Sequence, residues 1–290
     1  MPAPRAAWVA AAQLPTKERS GHSFSFKPSL CGCFGSSRRW TSKVSALRGP
    51  SVVFASWGAE VQWSKGQVLS TKQVAEGLQT VVVDLNDVGS GYTKAGQFVQ
   101  VKVGDSKPSF FAIASPPDAN NAGVVELLVK NNEKGGTAEI LCNSQEGFEV
   151  DVSPVMGKGF PIERAPADEV STLLFFATGT GISPVRALIE SGTCQLDKRK
   201  QVRLYYGTAN PEATAYRELV SSWKELGVEV VPVYSDDEQG YVQDVFAQDG
   251  RPLDGASTAA VLVGQKEMCM AITDMLTQKG VTKERILLNF

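Results

Sequence analysis

The segment at residues 178–184, TGTGISP, has the residue types and spacing to bind a phosphate group. It links an apolar run to an amphipathic one, which predicts a strand, a tight turn and the start of a helix. Gly179 and Gly181 permit the turn, and Pro184 suits the first turn of a helix. Free N–H groups and the helix dipole would favour an anion there. An ordinary strand-to-helix connection is the alternative to a nucleotide-phosphate site formed by Thr178, Gly179, Thr180, Gly181, Ile182, Ser183 and Pro184.

The elements around this segment belong to an alternating pattern of apolar strands and amphipathic helices that runs from residue 170 to residue 290. Such alternation predicts a doubly wound parallel sheet with helices on both faces. Ligands of these sheets bind outside the carboxyl ends of the strands. We therefore expect four connections to meet at one site, namely those at residues 178–183, 207–210, 235–240 and 263–268.

The preceding part of the chain, residues 56–162, has a different pattern of short β-rich runs separated by Gly, Asn and Asp. Such runs predict a small antiparallel barrel of five or six strands, interrupted by one helix at residues 137–144. A polar linker at residues 161–169 separates the two predicted domains. The predicted strands include residues 78–85, 96–103, 109–115, 123–130 and 148–155.

The N-terminal segment is basic and rich in Ser and Ala. Residues 1–59 hold eight of the 29 basic residues and one of the 31 acidic residues. This composition, without the unbroken apolar core of a secretory signal, predicts a chloroplast transit peptide over residues 1–55. A basic tail that binds nucleic acid or membrane is the alternative.

The remainder of the chain carries 21 basic and 30 acidic residues, a formal net charge of −9. An acidic body argues against a general nucleic-acid role, because neutralising phosphates needs a basic surface. No apolar run is long enough to span a membrane. The cysteines have no zinc or iron–sulfur spacing, and the single histidine, His22, lies in the predicted transit segment, so we predict no metal site.

Four motifs together resemble the ferredoxin-NADP reductase superfamily over residues 60–290. They are TGTGISP at residues 178–184, GQFVQV at 96–101, VMGKGF at 155–160 and VGQKEM at 263–268. The chain resembles in particular a plant group of fruit protein kiwi502-like FAD/NAD(P)-binding oxidoreductases of chloroplasts. The resemblance implies that FAD binds to the barrel and NAD(P)H to the second domain.

The flavin strand implied by this resemblance departs from the superfamily's Arg-x-Tyr-Ser pattern. Ser109 stands in place of the Arg, so it lacks a charged hydrogen bond to the diphosphate worth about 1.5 to 3 kcal/mol. Phe111 keeps a ring that can pack on the isoalloxazine, and Ala112 lacks the hydroxyl that would bond to the flavin N5. The implied flavin contacts are Phe111, Ala112, Ile113, Ala114 and Ser115.

A second implied flavin element is the glycine turn before the predicted barrel helix. Gly135, Gly136 and Thr137 correspond to the superfamily's Gly-x-x-Ser turn, whose backbone N–H groups and hydroxyl bind the diphosphate. We expect Thr137 to supply the hydroxyl, because the next residue is Ala138. A hairpin turn leading into a helix is the alternative interpretation.

On the nicotinamide side, the resemblance implies contacts from Gly264 and Met268 and from Ser235, Asp236 and Tyr241. Asp236 replaces an Arg that would hold a 2′-phosphate. A carboxylate repels that phosphate and accepts hydrogen bonds from ribose hydroxyls, so NADH is favoured over NADPH. Tyr241 can stack on adenine or simply cap a helix.

The resemblance also implies a role for the last residue. Phe290 can shield the flavin ring until the nicotinamide displaces it, or it can close the sheet edge as an ordinary apolar residue. The superfamily's Cys beside the nicotinamide is replaced by Val263.

Taken together, these residues predict a flavin-dependent oxidoreductase that transfers hydride from NAD(P)H to FAD and then to an unidentified, possibly soluble acceptor. Phe111 and Phe290 are the predicted ring-packing residues at the reacting centre. The alternative is a non-catalytic nucleotide-binding or regulatory module whose flavin site has decayed, because Ser109, Ala112 and Val263 have lost the expected polar groups.

Overall fold

A computed structural model describes residues 61–118, 123–131, 134–237 and 240–288. All of them belong to one unit of the chain, Phe54–Phe290. The predicted transit peptide, residues 1–55, lies outside the described residues, as does Phe290.

Six antiparallel strands form the first sheet, in the order β4-β3-β6-β1-β2-β5. A bridge between Ile113 and Leu127 joins the end of β4 to β5, so the sheet closes on itself. The predicted barrel is therefore confirmed. Sequence reasoning did not single out its longest strand, β1, whose sequence SKGQVLSTKQVA has no regular alternation of polar and apolar residues. The strands are β1 Ser64–Ala75, β2 Leu78–Asp84, β3 Phe98–Lys102, β4 Ser109–Ala112, β5 Val124–Lys130 and β6 Glu149–Val152.

Alternate residues of these strands fill the barrel. Val99, Phe111 and Leu127 belong to one buried cluster, which helix α1, Thr137–Cys142, joins through Leu141. The helix is two residues shorter than predicted, and Ser144 beyond it donates its hydroxyl to the carbonyl of Leu141 at 2.7 Å.

Five parallel strands form the second sheet, in the order β11-β10-β7-β8-β9. They are β7 Thr172–Thr178, β8 Gln201–Thr208, β9 Val228–Tyr234, β10 Thr258–Val263 and β11 Ile286–Leu287. The helices that cover the sheet are α2 Ile182–Glu190, α3 Val220–Glu225, α4 Val242–Gln248 and α5 Lys266–Gln278.

Successive residues of β7 show that both faces of this sheet are covered. Phe175 packs in the cluster that contains Val185 of α2, whereas Phe176 packs in the cluster that contains Ile272 of α5. Residues of a strand alternate between faces, so two separate cores confirm the doubly wound sheet.

The structure differs from the sequence prediction at residues 212–227, whose amphipathic pattern predicts one long helix. Only a 3₁₀ turn, Arg217–Leu219, and the short helix α3 form there. Tyr216 has a φ of 62°, which ends any helix before it, and its side chain is 2% exposed. Burial of this aromatic side chain takes precedence over the local helical pattern.

Apolar packing and hydrogen bonds join the barrel to the second sheet. Ala114, Leu128 and Phe160 of the barrel segment pack in the same cluster as α2. The Arg199 guanidinium donates to the carbonyls of Ala165, Val170 and Cys194, each at 2.8 Å. The predicted linker is therefore bonded to the second domain.

Candidate functional site

The predicted crevice lies where the chain changes direction across the parallel sheet. From β7 the chain proceeds to β8 and β9 on one side, and then returns to β10 on the other. The connections that follow β7 and β10 meet at this point, since the Gln265 N–H donates to the Thr178 hydroxyl at 3.0 Å. This is the topological switch point at which doubly wound sheets bind their ligands.

Each of the two glycines of TGTGISP is required at its position for a different structural reason. Gly179 has a φ of +53°, and no heavy atom lies within 4 Å of the position that a Cβ would take. Gly181 has ordinary dihedral angles, but its Cβ would lie 2.6 Å from the Val263 carbonyl oxygen. Gly179 therefore leaves open space above the turn, and Gly181 lets the two connections touch.

Gly264 makes the second close approach of the crevice. Its φ is +149°, and a Cβ there would lie 2.0 Å from the Thr178 hydroxyl oxygen. Met268, which the resemblance also assigned to the cofactor, is 2% exposed and packs in the core under the sheet. Because the Met268 side chain packs in this core, it does not face the crevice. The assignment of Met268 as a cofactor contact is therefore corrected.

Three further residues of the motif can contact a ligand only through the backbone. Ile182, Ser183 and Pro184 are buried in the first turn of α2. The Ser183 hydroxyl donates to the Thr180 carbonyl at 2.9 Å. An anion that bound at this turn would therefore meet its backbone N–H groups.

Tyr206, on the neighbouring strand β8, supports the turn from below. Its hydroxyl donates to the Gly179 carbonyl at 3.3 Å. Burial raises the pKa of Tyr206 well above its ordinary value, so the hydroxyl keeps the proton that it donates. Sequence reasoning did not single out this residue.

The residues assigned to the ribose side lie at the same edge of the sheet. Ser235 and Asp236 are exposed after β9, and the Asn210 side-chain amide donates to the Asp236 carboxylate at 3.1 Å. Tyr241 begins α4 with its ring 59% exposed, and its N–H donates to the Asp244 carboxylate at 2.8 Å. The acidic character of this edge is as predicted, and the Tyr241 ring is accessible for stacking.

The flavin strand presents a different ring from the one expected. Phe111 is 8% exposed and packs inside the barrel, whereas Phe110 is 64% exposed. The Phe110 ring lies 5.8 Å from that of Phe98, centroid to centroid. The strand therefore offers Phe110, with Ala112 on the same face, to a flat ligand. The expected packing of Phe111 on a flavin is corrected accordingly.

The end of this strand has structural roles that the sequence did not reveal. Ile113 and Ala114 are fully buried, and their N–H groups donate to the carbonyls of Gln97 and Glu126. The Ser115 hydroxyl accepts the Glu126 N–H at 3.0 Å. These bonds hold the end of the strand to the barrel segments that contain Gln97 and Glu126, and Ala112 lies on the outward face with Phe110.

The glycine turn assigned to the flavin diphosphate is occupied by the protein's own groups. Thr137 is fully buried, and its hydroxyl donates to the Lys107 carbonyl at 2.8 Å. The Gly135 N–H donates to a carboxylate oxygen of Glu139 at 2.6 Å. Helix α1 has six residues, so its dipole is small. These contacts correct the expectation that Gly135 and Thr137 are free to bind a diphosphate, whereas the assignment of Gly136 stays a prediction.

A polar network that sequence reasoning missed connects the two domains. Arg186 of α2 lies 2.5 Å from the Glu126 carboxylate of β5, and the Tyr216 hydroxyl donates to the same oxygen at 2.9 Å. The Arg186 guanidinium also lies over the Tyr216 ring, 4.5 Å from its centroid, and bonds to Glu190. Residues 60 positions apart in a sequence give no local pattern that would reveal such a pair.

The charges of this network favour the ion pair. Burial alone would lower the pKa of Arg186, but the carboxylates of Glu126 and Glu190 outweigh it, so the pKa is raised. Burial and the Glu126 carboxylate raise the pKa of Tyr216. Arg186 therefore stays charged and Tyr216 stays protonated as a donor.

Metal clusters and membrane-spanning helices are both absent from the described residues. No group of three or more His, Cys, Asp and Glu side chains there could hold a metal ion. In the same residues, no helix has both the length and the apolar composition needed to cross a membrane.

The barrel, the doubly wound sheet and the glycine crevice define a class of protein. The family described as "Oxidoreductase NAD-binding domain" matches residues 175–274, which include both connections of the crevice. The fold is that of the ferredoxin NADP⁺ reductase from Neisseria gonorrhoeae solved with bound FAD and NADP. The two chains have a TM-score of 0.66 and 18% identity, over 79% of this chain and 98% of the other. The chain belongs to the ferredoxin-NADP reductase superfamily.

Within the superfamily, the chain belongs to the family of Fruit protein pKIWI502 from Actinidia deliciosa. The two are 36% identical over 229 residues, which cover 73% of this chain and 72% of the relative. The NAD(P)H-flavin reductase of Vibrio harveyi is 28% identical over 197 residues, covering 66% of this chain and 82% of the reductase.

Proposed function

We propose that the chain is a flavin-dependent oxidoreductase that moves hydride from NAD(P)H to a flavin. The observation that carries the proposal is the crevice at the switch point, where Gly181 and Gly264 let two connections touch. The turn of TGTGISP also contacts barrel strand β5, so a nicotinamide bound in the crevice lies beside the barrel. The Vibrio harveyi relative is an NAD(P)H-flavin reductase, and the Neisseria gonorrhoeae reductase of the same fold was solved with bound FAD and NADP, which supports the proposal.

The chain's own residues would bind and orient the nucleotide. Backbone N–H groups at the start of α2 would bind its phosphates, and Tyr206 would hold the Gly179 carbonyl away from them. A bound nicotinamide and flavin would supply the chemistry, which is transfer of a hydride (one proton with two electrons) balanced by one further proton from water. Such a transfer needs no proton-transferring side chain in its first step.

An assay of NADH oxidation by the purified full chain tests this proposal. NADH should be consumed when flavin is present, one equivalent of flavin being reduced for each NADH oxidised in the absence of oxygen. A chain that binds NADH in calorimetry but reduces no flavin would contradict the proposal. That outcome would favour the alternative of a nucleotide-binding module, for which the engagement of Gly135 by Glu139 is the supporting observation.

We propose that the preferred nucleotide is NADH, because Asp236 is exposed where a 2′-phosphate would approach. Replacing Asp236 with Ser should raise kcat/KM for NADPH about tenfold, equivalent to ~1.4 kcal/mol, by removing a like charge. The same change should lower kcat/KM for NADH, because ribose hydroxyls lose an acceptor.

Asp237→Ser is a matched control, since Asp237 is the next residue and is also exposed. It should change the ratio of the two specificity constants by less than twofold. If both variants shift the ratio equally, general surface charge and not Asp236 sets the preference.

We also propose that residues 1–55 direct the chain to the chloroplast, on the basis of their basic, Ser-rich composition. Fusing residues 1–60 to a fluorescent protein should target it to plastids in leaf cells. Retention of the fusion in the cytosol would contradict the proposal.

A further inference from the structure

The structure does not fit FAD through the anchors expected for its diphosphate. Ser109 carries no charge, the Thr137 hydroxyl is fully buried, and the Gly135 N–H is bonded to Glu139. The Thr137 hydroxyl oxygen also lies 2.7 Å from the Ser106 hydroxyl. Thr137 therefore bonds to two protein groups, the Ser106 hydroxyl and the Lys107 carbonyl. A diphosphate could use these groups only after the existing hydrogen bonds had been broken, which costs free energy.

Electrostatics at the same turn oppose a diphosphate. The Glu139 carboxylate occupies the position at which an anion would meet the Gly135 N–H. Like charges at this distance repel, and the repulsion is stronger near a protein surface than in bulk water. The neighbouring cations are Lys107 and Lys134, which are both exposed. Exposed lysines form weak ion pairs because water screens their charge, so these two do not offset the repulsion.

The strand β4 nevertheless offers a surface for a flat aromatic ring. Phe110 is 64% exposed beside Phe98, and Ala112 lies on the same face. Aromatic rings that stack on one another stabilise a complex beyond the area that they bury. The isoalloxazine, which is the same in every flavin, is the part of the ligand that this surface can recognise.

We propose that the flavin of this protein is an exchangeable substrate, recognised by its isoalloxazine ring and not by its phosphates. Riboflavin, FMN and FAD should then bind with similar affinity, and the reduced flavin should leave the protein. This inference rests on the proposed oxidoreductase function and names the substrate class of its second site.

Quenching of flavin fluorescence by the full chain measures the three affinities directly. We expect dissociation constants for riboflavin, FMN and FAD within about threefold of one another, because no charged hydrogen bond separates them. FAD that binds more than tenfold tighter than riboflavin, or that stays bound through dialysis, would overturn the inference and leave the proposed function intact. Failure of all three flavins to bind would overturn both.

Substitution of Glu139 tests why the protein should not distinguish FAD from riboflavin. Glu139→Gln removes the carboxylate and should tighten FAD severalfold with riboflavin unchanged, and adding Ser109→Arg should bring the gain to about tenfold or more. Glu146→Gln is the matched control, because Glu146 lies in an exposed loop after the C-terminal end of α1. It should change neither the dissociation constant of FAD nor that of riboflavin. Equal gains for riboflavin and FAD, or no gain, would contradict the role assigned to Glu139.

Substitution of Phe110 tests the ring surface. Phe110→Ala should weaken all three flavins by the same factor, about tenfold, because one stacking partner is lost. The exposed position of this ring means that folding should be unaffected, and thermal unfolding checks that. A loss confined to FAD would show that the adenine half stacks on Phe110 and would overturn the inference.

Discussion

Gly264→Ala should reduce NADH affinity by at least about tenfold, because the two connections of the crevice could no longer meet. The new Cβ would lie 2.0 Å from the Thr178 hydroxyl oxygen and 3.0 Å from the Thr178 backbone nitrogen, at a φ of +149°. Strain of this backbone conformation alone costs about 1 to 3 kcal/mol, and the clash forces Thr178 out of place. Isothermal calorimetry with NADH and thermal unfolding measure the two effects.

Gly280→Ala separates backbone strain from damage to the crevice. Gly280 has a φ of +86°, and the nearest atom to its Cβ position is 3.9 Å away. It follows the C-terminal end of α5, whereas the crevice is at the N-terminal end of that helix. We expect Gly280→Ala to lower the melting temperature and to leave NADH affinity within twofold. An equal loss of affinity in both variants would contradict a direct role for Gly264.

The sequence predicted the crevice because its determinants are local. TGTGISP places its glycines, its proline and the start of α2 within seven residues, and the alternating pattern around it defines the parallel sheet. The loops that converge on the crevice follow from that sheet by topology alone. Local pattern and topology are therefore sufficient to derive both the fold class and the position of the crevice.

The inward and outward faces of β4 could not be derived in the same way. The run FFAIA is apolar at every position, so a pattern of alternation does not say which ring points inward. Strand pairing decides the matter, because Phe111 lies opposite the buried Val99. The expected flavin contact was consequently assigned one residue away from the ring that is exposed.

Contacts between distant residues were also beyond sequence reasoning. Thr137 was expected to offer a free hydroxyl, but its partners Ser106 and Lys107 are on another loop, about 30 residues earlier. Glu126 and Arg186 are 60 residues apart, and nothing in their local sequence marks them as partners. Such pairings depend on how the two domains pack, which no local pattern encodes.

Loss of the ion pair of Glu126 and Arg186 should destabilise the protein more than loss of an ion pair on the surface. Glu126→Ala should lower the free energy of unfolding by on the order of 3 kcal/mol, because it leaves Arg186 half-buried without its main partner. The Arg186 side chain is 14% exposed and that of Glu126 is 20% exposed, so water replaces the lost contact poorly. Chemical denaturation of the full chain measures the change.

Glu229→Ala is the matched control for this variant. Glu229 pairs with Arg251 on the surface, with side chains 51% and 40% exposed. Exposed pairs contribute about 0 to 1 kcal/mol, so this variant should be close to wild type. A loss as large as that of Glu126→Ala would mean that burial does not set the strength of the pair.

The same pair should also position the two ligand sites relative to each other. Glu126 is bonded through its backbone to Ala114 and Ser115 at the end of the flavin strand, and Arg186 lies in the helix that begins with the nucleotide turn. Glu126→Gln keeps the size of the side chain. We therefore expect this variant to slow hydride transfer at saturating NADH and flavin about tenfold or more. The dissociation constants of NADH and flavin should stay within twofold of wild type. Tyr216→Phe removes one donor and keeps the ring under Arg186, so its effect should be smaller. If the rate and the ligand affinities fell by the same factor in both variants, Glu126 and Tyr216 would have only a structural role.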